Sequence, residues 1–213
     1  TDPILLRNGR EIQEEGYCTD IFFREALEFM ARSETPFFAY IATNAPHTPL
    51  QIDQSLVRHY LEQGLDETTA RVYAMITNID ENMGRLRDFL KAEDLEENTL
   101  LIFMTDNGHQ QPRYSGGLRG RKGTVFEGGI RVPFLLRWPT RTDSGTSIET
   151  PAAHIDLLPT ILDACDVSLP QDHKIDGLSL LPHLENSETA DLHNRPLFFL
   201  WHRGDEPEFG RAC

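Results

Sequence analysis

TLLIFMTDNGHQQPRYSGGLRGRKGTVFEGGIRVPFLLRWP, residues 99–139, holds two apolar runs separated by a polar burst and a loop rich in glycine and arginine. The first run, Leu100 to Met104, is short and apolar at every position, which predicts a strand buried on both faces of a parallel sheet. Thr105-Asp106-Asn107-Gly108 follows where that strand ends. In open α/β sheets ligands bind beyond the carboxyl ends of strands, so Asp106 and Asn107 stand where a site is expected. The loop after them carries Arg113, Arg119, Arg121, Lys122 and Arg131 against one acid, Glu127, in a chain whose net charge is −14. A local positive pocket on an acidic protein suits a small bound anion and not a polyanionic partner. Val132 to Trp138 is the next expected strand, closed by Pro139.

Outward from this stretch the chain alternates. Ile21, Phe22, Ala26, Leu27 and Met30 recur at helical spacing behind Thr19 and Asp20, either of which can cap. Pro36 breaks that helix, and FFAYIA at 37–42 reads as a second buried strand. It leads into Thr43-Asn44-Ala45-Pro46-His47-Thr48-Pro49, where two prolines predict an extended backbone around His47. On local evidence alone His47 reads equally as a loop histidine or a site residue. A short helix over 53–64 ends at Gly64, and Asp66 caps a longer one in which Tyr73, Ile76, Ile79 or Asp80, Met83, Leu86 and Leu90 recur at helical spacing, while Asp80 and Glu81 read as structural or solvent-facing. His154 and Asp156 read as the polar start of a helix through Ala164, with Ile155, Leu158, Ile161 and Leu162 inward. Residues 166–186 read as loop, and 196–201 as a strand. The expected fold class is therefore α/β, a mixed and largely parallel sheet covered by helices on both faces.

Several function classes fall away on composition. The 213 residues hold 39% hydrophobic side chains, ordinary for a globular domain, and basic residues gather only in the loop already quoted. That argues against nucleic acid and against an anionic membrane surface. No segment approaches the roughly 18 apolar residues of a membrane span. Cys18, Cys165 and Cys213 form neither a zinc spacing nor an even disulfide set. The glycines at 116, 117, 120 and 123 spell neither phosphate-binding fingerprint. Asp106 and Asn107 offer only oxygen, which fits a hard cation such as calcium or magnesium, yet two ligands are a fraction of the six to eight calcium takes. Asp-Asn-Gly alone is also an ordinary turn.

In combination the segments are specific. FFAYIATNAPHTP at 37–49, YAMITNIDENMGRL at 73–86, TLLIFMTDNG at 99–108, GLRGRKGTVFEGGIRVPFLLRWP at 117–139, HIDLLPTILDA at 154–164 and DGLSLLPHL at 176–184 resemble, in order and spacing, the sulfatase family of the alkaline-phosphatase superfamily. The resemblance implies a sulfuric ester hydrolase that uses a formylglycine beside a calcium ion. It implies that Asp106 and Asn107 are calcium ligands, that His47 and Lys122 contact the sulfate, and that one of these two assists the departing alcohol. Arg119 is a further candidate for substrate contact. The substrate implied is a sulfated small molecule or sulfated glycan, and a periplasmic or secreted setting is suggested by the resemblance alone.

The family's Cys-x-Pro-Ser-Arg segment and its N-terminal Asp-Asp pair are not in the sequence. The expectation is a fragment, inactive alone, with residues 1–190 as the middle and later part of the catalytic domain and 191–213 as the start of a C-terminal subdomain. Two alternatives stay open at this level: a phosphatase or phosphodiesterase of the same superfamily, and a non-catalytic anion- or glycan-binding relative.

Overall fold

The computed structural model describes residues 2–169, 172–185, 192, 194–201 and 211–212. It divides into two units, Thr1–Glu96 and Glu97–Cys213.

The first unit opens with an antiparallel hairpin, β1 (Ile4–Arg7) and β2 (Arg10–Gln13). Asn8 and Gly9 turn it, both at positive φ (51° and 79°), as a two-residue hairpin that matches strand twist requires. Helix α1 (Cys18–Ala31) begins one residue before the expected cap, behind Tyr17. Asp20 is drawn away from capping because its carboxylate accepts from Asn78 and Asn82 of α3 (Glu67–Ala92) at 2.9 and 2.6 Å. Burying those two amides without an acceptor would cost more than a missing cap.

Helix α2 (Gln54–Glu62) ends as expected, with Gly64 at φ +84° just beyond its C-cap. Asp66 caps α3 as expected, accepting from the Thr69 amide at 3.1 Å. Ile79, Leu86 and Leu90 of α3 are buried as expected, whereas nearer its start Val72 and Met75 take the inward place expected of Tyr73 and Ile76, and Ile76 faces out. The small residues explain the shift. Ala70 and Ala74 let α2 approach closely, and Val57 packs on both, with Tyr60 and Leu65 closing the cluster. Ala74→Leu should therefore overpack this contact and cost about 1–3 kcal/mol of stability, read by denaturant unfolding, whereas an unchanged midpoint would show the helices free to move apart.

The run 37–42 is not a doubly buried strand. Burial alternates along it, and Phe38 and Tyr40 are 68% and 83% exposed. One face lies along Phe22, Ala26 and Phe29 of α1, with the Phe29 and Phe37 rings edge to face at 6.2 Å. No strand is paired to its edges among the described residues, and burial of both faces needs more than one covering layer.

In the second unit β3 (Leu101–Met104) and β4 (Phe134–Arg137) form where expected but pair antiparallel, Leu101 opposite Arg137 and Met104 opposite Phe134. Parallel pairing of successive strands usually uses a crossover helix, and this connection holds only the one-turn helix α4 (Glu127–Ile130). Helix α5 (Leu157–Ala164) follows a 3-10 turn at His154–Asp156. The buried positions of the turn and helix are Asp156 and Thr160; of the expected inner face Ile161 and Leu162 are half-buried, while Ile155 and Leu158 face out. A polar lock takes the place of Ile155 and Leu158. Helix α6 (Leu181–Leu184) adds one turn within the expected loop, and β5 (Phe199–Leu200) pairs antiparallel with β6 (Arg211–Ala212). The expected domain boundary at residue 190 lies outside the described residues. Among the described residues no helix is long and apolar enough to cross a membrane.

Candidate active site

The end of β3 is tied to the glycine loop by backbone alone. The Gly108 amide donates to the Gly129 carbonyl at 2.9 Å, and the Lys122 amide to the His109 carbonyl at 2.9 Å. Inside the loop the Gly128 amide donates to the Arg119 carbonyl at 2.7 Å. The approach is so close that only glycine fits. A Cβ on Gly108 would stand 1.9 Å from the Gly128 oxygen, and one on Gly128 would stand 2.2 Å from the Gly120 oxygen. Asp106, Asn107 and Lys122, expected as site residues, are thus brought into one hydrogen-bonded loop cluster of the second unit, and Arg119 belongs to it.

Asp106 is exposed and Asn107 half-buried. Neither side chain makes a hydrogen bond or ion pair among the described residues, so both keep their oxygens for a ligand. Their donor set fits a hard divalent cation in kind. It is incomplete in number, since no group of three or more His, Cys, Asp or Glu able to hold a metal occurs among the described residues. The other oxygens of such a cation's shell would come from further protein groups, substrate or water.

Lys122 is half-buried, and among the described residues no carboxylate pairs with its ammonium. Glu127, the acid of the loop, is engaged by Arg131 at 3.4 Å across one turn of α4. Arg119 lies with its guanidinium over the Phe126 ring, 3.8 Å from the centroid, which uses the face of the group and leaves its N–H edge for an anion. His109 responds to the local field. Its burial, and then the charges of Arg113 and Arg121, push its pKa below the ordinary histidine value, so the imidazole is neutral in a cationic surrounding.

His47 belongs to the first unit. Its loop is not extended, because the His47 amide turns back to the Asn44 carbonyl at 2.8 Å; the Ala45-Pro46 and Thr48-Pro49 bonds are both cis. Nδ1 lies 2.8 Å from the Thr48 carbonyl, which can only accept, so Nδ1 carries the proton and Nε2 is left for other partners. The ring is exposed.

Two residues gain weight that their sequence positions did not give them. His154 Nε2 donates to the Thr105 carbonyl at 3.0 Å, immediately before Asp106. Asp156 is fully buried against Arg195, a residue that no local pattern singles out and that lies 39 positions away. Burial alone would raise the Asp156 carboxyl. Hydrogen bonds from Arg195 and from the Ala153 and Leu178 amides, with the Arg195 charge, outweigh it and hold the pKa below the usual carboxylate value.

The Sulfatase family profile matches residues 4–167. The chain is 32% identical over 199 residues to the uncharacterized sulfatase YdeN of Escherichia coli K12, covering 90% of this chain and 35% of that protein. It is also 32% identical over 212 residues to the N-acetylgalactosamine-6-sulfatase of Canis lupus familiaris, covering 95% and 37%. The crystal structure of Ps i-CgsB in complex with k-i-k-neocarrahexaose superposes with a TM-score of 0.87 at 32% identity, over 94% of this chain and 45% of that one. The chain spans little more than a third of the length of these curated relatives.

Proposed function

The chain belongs to the sulfatase family of the alkaline-phosphatase superfamily, with its α/β fold, and from that premise we propose that the whole protein hydrolyses sulfate monoesters of a carbohydrate. The observation that supports this reading is the backbone-locked loop cluster, in which an oxygen pair and an ammonium have no partner among the described residues. The carbohydrate part rests on the similarity to an N-acetylgalactosamine-6-sulfatase and to Ps i-CgsB, whose crystal structure is a complex with k-i-k-neocarrahexaose.

The family works with a metal ion and a formylglycine, which supply Lewis acidity and the attacking oxygen. In our reading the metal is calcium, and Asp106 and Asn107 supply two of its oxygens. Lys122 holds the sulfate as a compact positive charge while negative charge spreads over the equatorial oxygens. The N–H edge of Arg119 binds substrate beside it. His47, with Nδ1 fixed on a backbone carbonyl, presents Nε2, and in the imidazolium form that nitrogen gives a proton to the departing alcohol oxygen.

The test uses the complete protein, expressed with a formylglycine-generating activity. An aryl sulfate, a sulfated galactosaminide and an aryl phosphate are offered before and after chelation. Sulfate release that falls on chelation and returns with calcium is expected. Release from the phosphate alone, or rates indifferent to chelator, would overturn the reading.

A further inference from the structure

His154 sits outside the loop cluster, yet it touches the strand end that carries Asp106. Met104 opposite Phe134 is the last rung of the β3–β4 ladder, so among the described residues the Thr105 carbonyl beyond it has no strand partner. His154 fills that vacancy through Nε2–H at 3.0 Å. A single hydrogen bond from an exposed side chain positions little if its own base is loose. Here the base is held from two sides.

Asp156, two residues on, is wholly buried and accepts from the Ala153 amide at 2.8 Å and the Leu178 amide at 3.0 Å. Arg195 grips the same carboxylate in bidentate fashion, one contact at 2.7 Å. Thr160 completes the lock. Its hydroxyl donates to the Asp156 carbonyl at 2.6 Å and accepts from the Leu180 amide at 2.8 Å. Gly177 presses against the same turn, where a Cβ would meet the Ile155 oxygen at 1.9 Å. Residues 153–160 are therefore a rigid platform, and His154 is the side chain it extends to Thr105.

We propose that His154 is a positioning residue for the Asp106–Asn107 oxygen pair, fixing the Thr105 peptide from a platform locked by the Asp156–Arg195 ion pair. This rests on the reading of Asp106 and Asn107 as metal ligands. The peptide that His154 holds leads directly into Asp106, so releasing it frees the rotation of the backbone from which that side chain projects. Outer groups that orient ligands in this way are worth about 10- to 100-fold in metal affinity.

The experiment measures calcium affinity of the complete protein by competition with a chromophoric chelator, alongside the unfolding midpoint in excess chelator. His154→Ala is expected to weaken calcium binding about tenfold with the metal-free midpoint unchanged. His154→Gln, whose amide N–H can reach the same carbonyl, should restore most of the affinity. Asp106→Ala is the control for the underlying reading. If it leaves calcium binding intact, the ligand assignment falls and the positioning role with it. If Asp106→Ala abolishes binding and His154→Ala does not weaken it, the positioning role alone is overturned. A loss in His154→Ala that follows an equal loss of metal-free stability, without rescue by His154→Gln, also overturns it.

Discussion

In the complete protein, Lys122→Ala is expected to lower kcat on an aryl sulfate by about two to three orders of magnitude, the usual effect of removing one fixed donor from a charge-developing transition state. The side chain can be deleted without dismantling its surroundings. Lys122 is held through its main chain, by its amide on the His109 carbonyl, and the loop closes through glycine backbones that the substitution leaves alone. What disappears is an ammonium that no carboxylate neutralises among the described residues. Arg119 does not replace it, since a guanidinium presents a planar fork where a point charge was. Lys122→Arg should accordingly recover only part of the rate. Calcium affinity should change little in either variant, because Lys122 offers no lone pair to the metal. Steady-state rates with calcium saturating are the measurement, and turnover of Lys122→Ala close to that of the parent would remove this residue from the chemistry.

The elements that could be read in the sequence are those whose causes are local. Asp66 capping α3, Gly64 ending α2 and the apolar run of β3 each depend on a few neighbouring residues, and each is found where expected. The loop cluster was legible for the same reason, because Asp106, Asn107, Arg119 and Lys122 lie within the single connection between β3 and β4. What could not be read depends on distant partners. The inward stripe of α3 follows Ala70 and Ala74 against Val57 and not the bulkier Ile76, a choice that only packing makes. Phe38 and Tyr40 look like core residues in composition, yet their exposure depends on what lies beside the run. Asp156 looked like an acid favoured by a helix start, and nothing near it in sequence announces Arg195.

That pair gives the largest expected stability effect. Asp156→Asn keeps the shape of the side chain and removes its charge, leaving Arg195, whose side chain is 12% exposed, without a counter-ion. Breaking one side of a buried pair in this way costs about 3–5 kcal/mol, most of it the penalty of the charge left behind. The pH dependence separates this cause from a general packing defect. The folded carboxyl is held below its usual value, whereas in the unfolded chain it titrates near about 3.9. Its contribution is therefore complete above about pH 5 and is lost as pH falls through the lower, folded value. The difference between parent and Asp156→Asn should be widest near neutrality and close on acidification, as read from denaturant midpoints between pH 7 and pH 3. A gap of constant size across that range would mean that geometry, and not the ion pair, holds the platform beneath His154.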